Sequence, residues 1–160
     1  MAGMQKITNF LWFDKEAEEA AHYYIAAFKD SKIGHIARYG EAGPGPAGQV
    51  MVVGFTLAGQ QFTALNGGPL FKPNEAISFV VSCEDQAEVD RLWDHFAKGG
   101  STSQCGWLKD RYGFSWQIVP RRFMEMMQDK DAVRTSRVFA AMLQMTKFDI
   151  AALEKAYAGK

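Results

Sequence analysis

The chain has no surplus charge, almost no cysteine and no long apolar run, and each shortage closes off a class of function. Lysine plus arginine and aspartate plus glutamate both number 18. No net positive field therefore exists to gather nucleic acid or anionic lipid, and neither partner is expected. No stretch approaches the roughly 18–20 consecutive apolar residues of a membrane span. The run "FLWFDKEAEEA" is too mixed to be the apolar core of a secretory leader, so a cytoplasmic protein is expected. Cys83 and Cys105 are the only cysteines. They suit reduced thiols better than a disulfide framework.

What the chain does have is core-building material. Hydrophobic residues make up 48% and charged residues 22%, which supports one well-buried domain or two small modules sharing a core. The sequence also repeats itself. Shifted by the 70 positions that separate Ile7 from Ile77, "ITNFLWFDKEAEEA" lies over "ISFVVSCEDQAEVD". Phe10 meets Val80, Leu11 meets Val81, Asp14 meets Glu84 and Ala17 meets Ala87. A short apolar strand, an acidic turn and an amphipathic helix thus occur twice.

After the first helix, at about 16–28, three strand candidates follow: "SKIGHIARYGE", "QVMVVGFTLAG" and "QQFTALN". The Gly- and Pro-rich residues 40–49 separate the first two, as a long hairpin turn or as a lid. The second helix, at about 85–97, stops at Gly99-Gly100, and strands are expected near 101–109 and 111–119. Along "GWLKDRYGFSWQIVP", Phe114, Trp116 and Ile118 fall on one side and Ser115, Gln117 and Val119 on the other. Lys109, Asp110 and Arg111 read as a solvated hairpin. From Arg121 the pattern turns helical, with Asp131 and Asp149 placed as caps. The expected organisation is a first module over 1–68, a second over 69–120 and a helical tail over 121–160. The fold class is α+β: two tandem βαβββ modules curling mixed sheets around a cavity, plus short C-terminal helices.

The words "LWFDKEAEEAAHYY", "FTALNGGP", "ISFVVSCEDQAEVDRLW" and "CGWLKDRYGFSWQIVP" span about residues 5–120. In them the chain resembles the PhnB-like, or demethylubiquinone methyltransferase-like, branch of the glyoxalase, bleomycin-resistance and extradiol dioxygenase (vicinal oxygen chelate) superfamily. "AMLQMTKFDIAALEKAYAG" looks like the branch's tail. The resemblance implies sheets with one face on a helix and a concave face lining a cavity, and commonly a homodimer. The chain shows no Gly-rich strand-to-helix turn of the kind an adenosyl- or dinucleotide-binding fold needs, so the methyltransferase label is not expected to name its activity.

The resemblance also implies where metal-dependent relatives carry His or Glu on the inner face. Those places hold Thr8, Thr63, Ser78 and Gln117 here. Hydroxyls and an amide are poor ligands for a divalent transition metal, so no metal and no cofactor is expected. His22 and His95 fall on helices and His35 on an interior strand that could reach the cavity. The candidate ligand pocket is Thr8, Phe10, Trp12, His35, Thr63, Ser78, Cys105, Trp107 and Gln117. Aromatic walls with a few orienting polar groups suit a small organic molecule of unknown identity. Alternatively, the same polar groups satisfy one another in a filled interior. Two other functions stay open: a metal-dependent or acid–base enzyme of the superfamily, and a dimeric interaction protein without catalysis.

Overall fold

The computed structural model describes residues 5–160. The chain divides into two compact units, Met1–Pro73 and Asn74–Lys160, each built on one four-stranded mixed sheet.

The first unit comprises β1 (Asn9–Phe13), α1 (Ala17–Ile25), β2 (Lys32–Arg38), β3 (Val50–Leu57) and β4 (Gln60–Asn66). The sheet order is β1-β4-β3-β2, with β1 parallel to β4 and the other pairs antiparallel. Ala58 and Gly59, both left-handed at φ 46° and 80°, make the tight two-residue turn that joins β3 to β4. Helix α1 buries Ala17, Ala20, Ala21 and Tyr24, an i, i+3, i+4, i+7 stripe. The three methyl side chains let the helix sit close to the sheet, and Tyr24 stacks on Phe55, which stacks on Phe62. The helix needs a borrowed cap, and Asn66 of β4 supplies it: its Oδ1 accepts from the Ala17 amide at 2.8 Å. The helix ends at Ile25, earlier than the pattern predicts, and Ala26 caps it as the chain turns.

The second unit repeats the plan with β5 (Ser78–Cys83), α2 (Gln86–Ala97), β6 (Ser101–Thr102), β7 (Trp107–Lys109) and β8 (Ser115–Pro120), in sheet order β5-β8-β7-β6. It then adds α3 (Arg121–Met127), α4 (Ala132–Leu143) and α5 (Ile150–Ala158). Asp85 caps α2 by accepting from the Glu88 amide. The helix buries Val89, Leu92, Trp93 and Phe96. Phe96 stacks on Trp116 of β8 with ring centroids 4.4 Å apart. Full burial of each such side chain is worth about 1.5–3 kcal/mol. Asp131 and Asp149 cap α4 and α5, and α5 stops at the left-handed Gly159, φ 75°.

The expected α+β fold of two strand–helix–three-strand units with short C-terminal helices is therefore present. It differs from expectation in two places. The strand predicted over 101–109 is cut into β6 and β7 by a turn in which Cys105 and Gly106 are both left-handed, φ 59° and 79°. The Cys105 and Gly106 amides donate to the Met145 and Thr146 carbonyls, both at 2.8 Å, so a tail segment over 145–148 sits on this turn. Nor is "WLKDRYG" a solvated hairpin. Asp110 is 2% exposed and accepts hydrogen bonds from the Tyr112 and Phe114 amides and from the Trp116 indole.

Candidate functional site

In each unit the helix covers one sheet face and leaves the other uncovered by it. Directly paired residues share a face. In the first unit one open-face row runs Phe10, Thr63, Gly54, and the next runs Trp12, Leu65, Val52, Ala37. Phe10 is 59% exposed there. The Trp12 indole donates to the Gly68 carbonyl at 2.8 Å and meets Phe71 edge-on. Gly67 has to be glycine, because a Cβ there would lie 2.3 Å from the Trp12 ring. Thr63 stands in the first row, as the alternation predicts. Thr8 does not: β1 begins at Asn9, and Thr8 is exposed just before it. His35 also departs from expectation, because β2 is an edge strand and not an interior one. It is exposed where the β2–β3 register is interrupted between Ile33 and Ile36.

The residues over 40–49 form an ordered hairpin connection. Tyr39 and Gln49 close it through the Tyr39 amide on the Gln49 carbonyl, and the Tyr39 hydroxyl donates to the Asn66 carbonyl. Tyr39, Pro44, Pro46 and Asn66 help wall a cleft of ≈ 300 Å³.

In the second unit Val80, Gln117 and Trp107 make one open-face row. Gln117 and Ser78 are brought together, the Gln117 amide donating to the Ser78 hydroxyl at 2.9 Å. The parity of both residues was readable from the strand alternation; the bond between them was not, since it depends on parallel register across 39 residues of sequence. Cys105 and Trp107 line a cleft of ≈ 420 Å³ together with Glu75, Ser101, Lys109 and Ser115. Those four residues lie outside the predicted pocket. Ser115 shares the parity of Gln117, and Lys109 that of Trp107, so the signal was present in the sequence pattern. Lys109 is ion-paired with Glu75. Its hydrogen bond holds the Glu75 carboxyl below the ordinary glutamate range.

A further depression of ≈ 520 Å³ lies at Glu84, Gln86, Arg121 and Arg122. Its cations are already paired, Arg121 with Glu84 and Glu125, and Arg122 with Glu154.

At the positions where metal-dependent relatives are expected to carry ligands, the donors are neutral. Among the described residues, no three His, Cys, Asp or Glu side chains come together in a way that could hold a metal ion. Thr63, Ser78 and Gln117 offer hydroxyls and an amide, whereas tight first-row metal sites use imidazole, carboxylate or thiolate. The thiols are both free. Burial pushes the Cys83 thiol up to about 12, with nearby Glu88 adding to the rise, so it holds almost no thiolate at neutral pH. The native protein treated with iodoacetamide at pH 8 is expected to be labelled at half-exposed Cys105 and not at Cys83. Peptide mass mapping reads the outcome, and labelling at Cys83 without unfolding would contradict this burial.

No helix among the described residues is long and apolar enough to cross a membrane. A family model described as 3-demethylubiquinone-9 3-methyltransferase matches residues 5–119. Among solved structures the chain is similar to a PhnB protein from Bacillus cereus that carries the same methyltransferase description. The two are 38% identical over 72% of this chain and 99% of that one, with a TM-score of 0.67. It is also similar to a Pseudomonas aeruginosa protein, 20% identical over 73% of this chain and 98% of that one, TM-score 0.60, a likeness of fold alone. No curated protein matches the chain in sequence. The family match stops at residue 119, short of the three C-terminal helices. Over residues 5–119 the chain belongs to the PhnB-like, 3-demethylubiquinone-9 3-methyltransferase family.

Proposed function

We propose that the chain is a small-molecule-binding member of this family that works without a bound metal, through the open faces of its sheets. The observation that carries the reading is the donor set. Where the family resemblance expects His or Glu, this chain has Thr8, Thr63, Ser78 and Gln117, and the Gln117 amide is already committed as a donor to Ser78. These residues do not fit a divalent metal, and none of them can move a proton near neutral pH. They do fit small-molecule faces within each unit: Phe10 and Trp12 supply apolar wall beside Thr63 in the first, and Trp107 does so beside Ser78 and Gln117 in the second.

The family description names a methyl transfer, for which an adenosyl sulfonium is the common donor. The strand-to-helix turns that would have to cradle such a group are Asp14-Lys15-Glu16 and Glu84-Asp85, acidic and without glycine. These turns do not fit an adenosyl group, and methyl transfer forms no part of the proposed function.

The test pairs elemental mass spectrometry of untagged protein with thermal shift against zinc, nickel, manganese, iron and a panel of small organic molecules. Substoichiometric metal, no metal-induced shift and stabilisation by some organic ligands are expected. Stoichiometric metal would overturn the metal-free part, and silence across the organic panel would overturn the binding part.

A second feature favours a homodimer as the working unit. Repeat-equivalent apolar residues are exposed in the single chain: Ile7 with Ile77, and Phe10 with Val80, the latter 54% exposed. Strands β1 and β5, which carry Phe10 and Val80, are both sheet edges. Open edges and apolar patches are normally covered in soluble proteins. Sedimentation equilibrium at micromolar concentration should give the mass of two chains, and a single-chain mass would reject the dimer.

A further inference from the structure

One cross-strand row in the second sheet, which shares only Ser78 with the donor set above, adds a charged group to it. Ser101 pairs with Lys109, Lys109 with Ser115, and Ser115 with Ser78. Three hydroxyls and one ammonium therefore share a single rung across β6, β7, β8 and β5, next to the rung of Trp107, Gln117 and Val80. Ser101, Lys109 and Ser115 help wall the ≈ 420 Å³ cleft, with Trp107 beside them.

Two details of this rung point to a ligand. Ser115 is 2% exposed, yet its hydroxyl has no hydrogen-bond partner among the described residues. A buried hydroxyl is almost always satisfied, so an orphan at a cleft wall marks a bond left for something else. The second detail is what holds Lys109. Its partner Glu75 comes from the segment leading into β5, while Lys109 is on β7, and β8 with Ser115 lies between those strands. A carboxylate of the chain itself thus spans the rung where a ligand would meet the ammonium.

We propose that this rung recognises the carboxylate of a small planar organic acid, and that Glu75 is a built-in competitor for Lys109. The inference rests on the reading of the open faces as small-molecule surfaces and names the ligand class for one of them. On binding, the ligand carboxylate takes the place of Glu75, accepting from the Lys109 ammonium and from the Ser115 hydroxyl. Glu75, whose side chain is 62% exposed, returns to water. A monoanion matches the single ammonium and the neutral hydroxyls, whereas a dianion would leave one charge uncompensated. Planarity follows from Trp107, two residues from Lys109 on the same strand face, whose indole offers a stacking surface for the body of the acid.

The test is a titration of the full chain with benzoate, and with benzamide as its uncharged isostere, followed by the indole and backbone amide signals in NMR. Benzoate is expected to bind at least about tenfold more tightly than benzamide, because only the carboxylate engages the ammonium. Glu75→Gln removes the competitor and should tighten benzoate binding by about threefold or more, since the competent state is no longer rationed. Lys109→Met should weaken it by about tenfold or more. Ser115→Ala separates a ligand role from a structural one: it should weaken benzoate binding while leaving the melting temperature unchanged or higher, because it deletes an unsatisfied buried hydroxyl. Equal binding of benzoate and benzamide, or no change in Glu75→Gln and Lys109→Met, would overturn the inference. If benzoate fails while other molecules of the organic panel bind the open faces, this inference falls and the binding function stands. If the whole panel fails, both fall.

Discussion

Phe148→Ala is expected to lower the stability of the chain by about 3–5 kcal/mol, the range for deleting a large buried aromatic side chain. Phe148 is 1% exposed and packs against Phe123, ring centroids 5.0 Å apart. It also lies so close to Gly106 that a Cβ there would stand 2.5 Å from its ring. Its backbone is fixed on the other side by Gln86 of α2, whose side-chain amide donates to the Phe148 carbonyl and accepts from the Ile150 amide. The Lys147–Asp90 pair adds a further tie between the tail and α2. The loss therefore has two parts, a cavity and the release of the segment that holds the left-handed Cys105-Gly106 turn. Urea unfolding measures the first. Limited proteolysis measures the second, with faster cleavage expected within residues 121–160. Phe148→Leu, which refills most of the volume, should recover much of the stability. A Phe148→Ala loss below about 1 kcal/mol would contradict the packing described, since core truncations of this size cost more. The same reasoning makes Gly106→Ala destabilising, through φ 79° and the clash together.

Asp110→Ala is the second large effect, expected at about 3 kcal/mol or more, because it removes a buried carboxylate that accepts from one buried and two half-buried donors at once. The Asp110 Oδ1 accepts from the Tyr112 amide at 2.8 Å and the Phe114 amide at 3.1 Å, and Oδ2 accepts from the Trp116 indole at 2.9 Å. The carboxylate thus shapes the β7–β8 hairpin and also anchors the tryptophan that stacks on α2. Asp110→Asn keeps one acceptor oxygen but turns an N–H group toward a donor, so it should lose a substantial part of the same stability. Trp116→Phe should lose only the indole bond and some packing. Equilibrium unfolding of the three variants ranks them Ala, then Asn, then Phe. Equal stability of Asp110→Ala and the parent would show that the hairpin does not depend on this carboxylate.

Much of the architecture was legible because it rests on local chemistry. The 70-residue offset between Ile7 and Ile77 carries β1 onto β5 and α1 onto α2, since period-two strands and capped amphipathic helices write themselves into short windows. The alternation likewise separated Trp116 and Ile118, buried toward α2, from Ser115 and Gln117 on the open face. What the pattern missed depends on chain reversals and on distant partners. A charged "KDR" at a hairpin suggests solvent, yet Asp110 turns inward because three donors within six residues converge on it. Cys105 reads as an ordinary strand residue until the tail carbonyls of Met145 and Thr146 hold the turn. That turn sets where β7 begins, and β7 then carries Lys109 opposite Ser115. Thr8 and His35 illustrate a different limit. Parity names a face, but it does not say whether the strand has begun or whether it lies at a sheet edge.

The central claim, that the open faces bind small molecules without a metal, is tested most directly by one titration. Isotope-labelled protein is treated with a strong chelator, exchanged into metal-free buffer, and titrated with the best stabiliser from the organic panel. The predicted result is an unchanged affinity with and without chelator, and shifts concentrated on an open face, at the Trp12 indole in the first unit or at the Trp107 indole and Gln117 side-chain amide in the second. Binding that disappears with chelator and returns with a divalent metal would contradict it, as would shifts confined to residues away from both open faces.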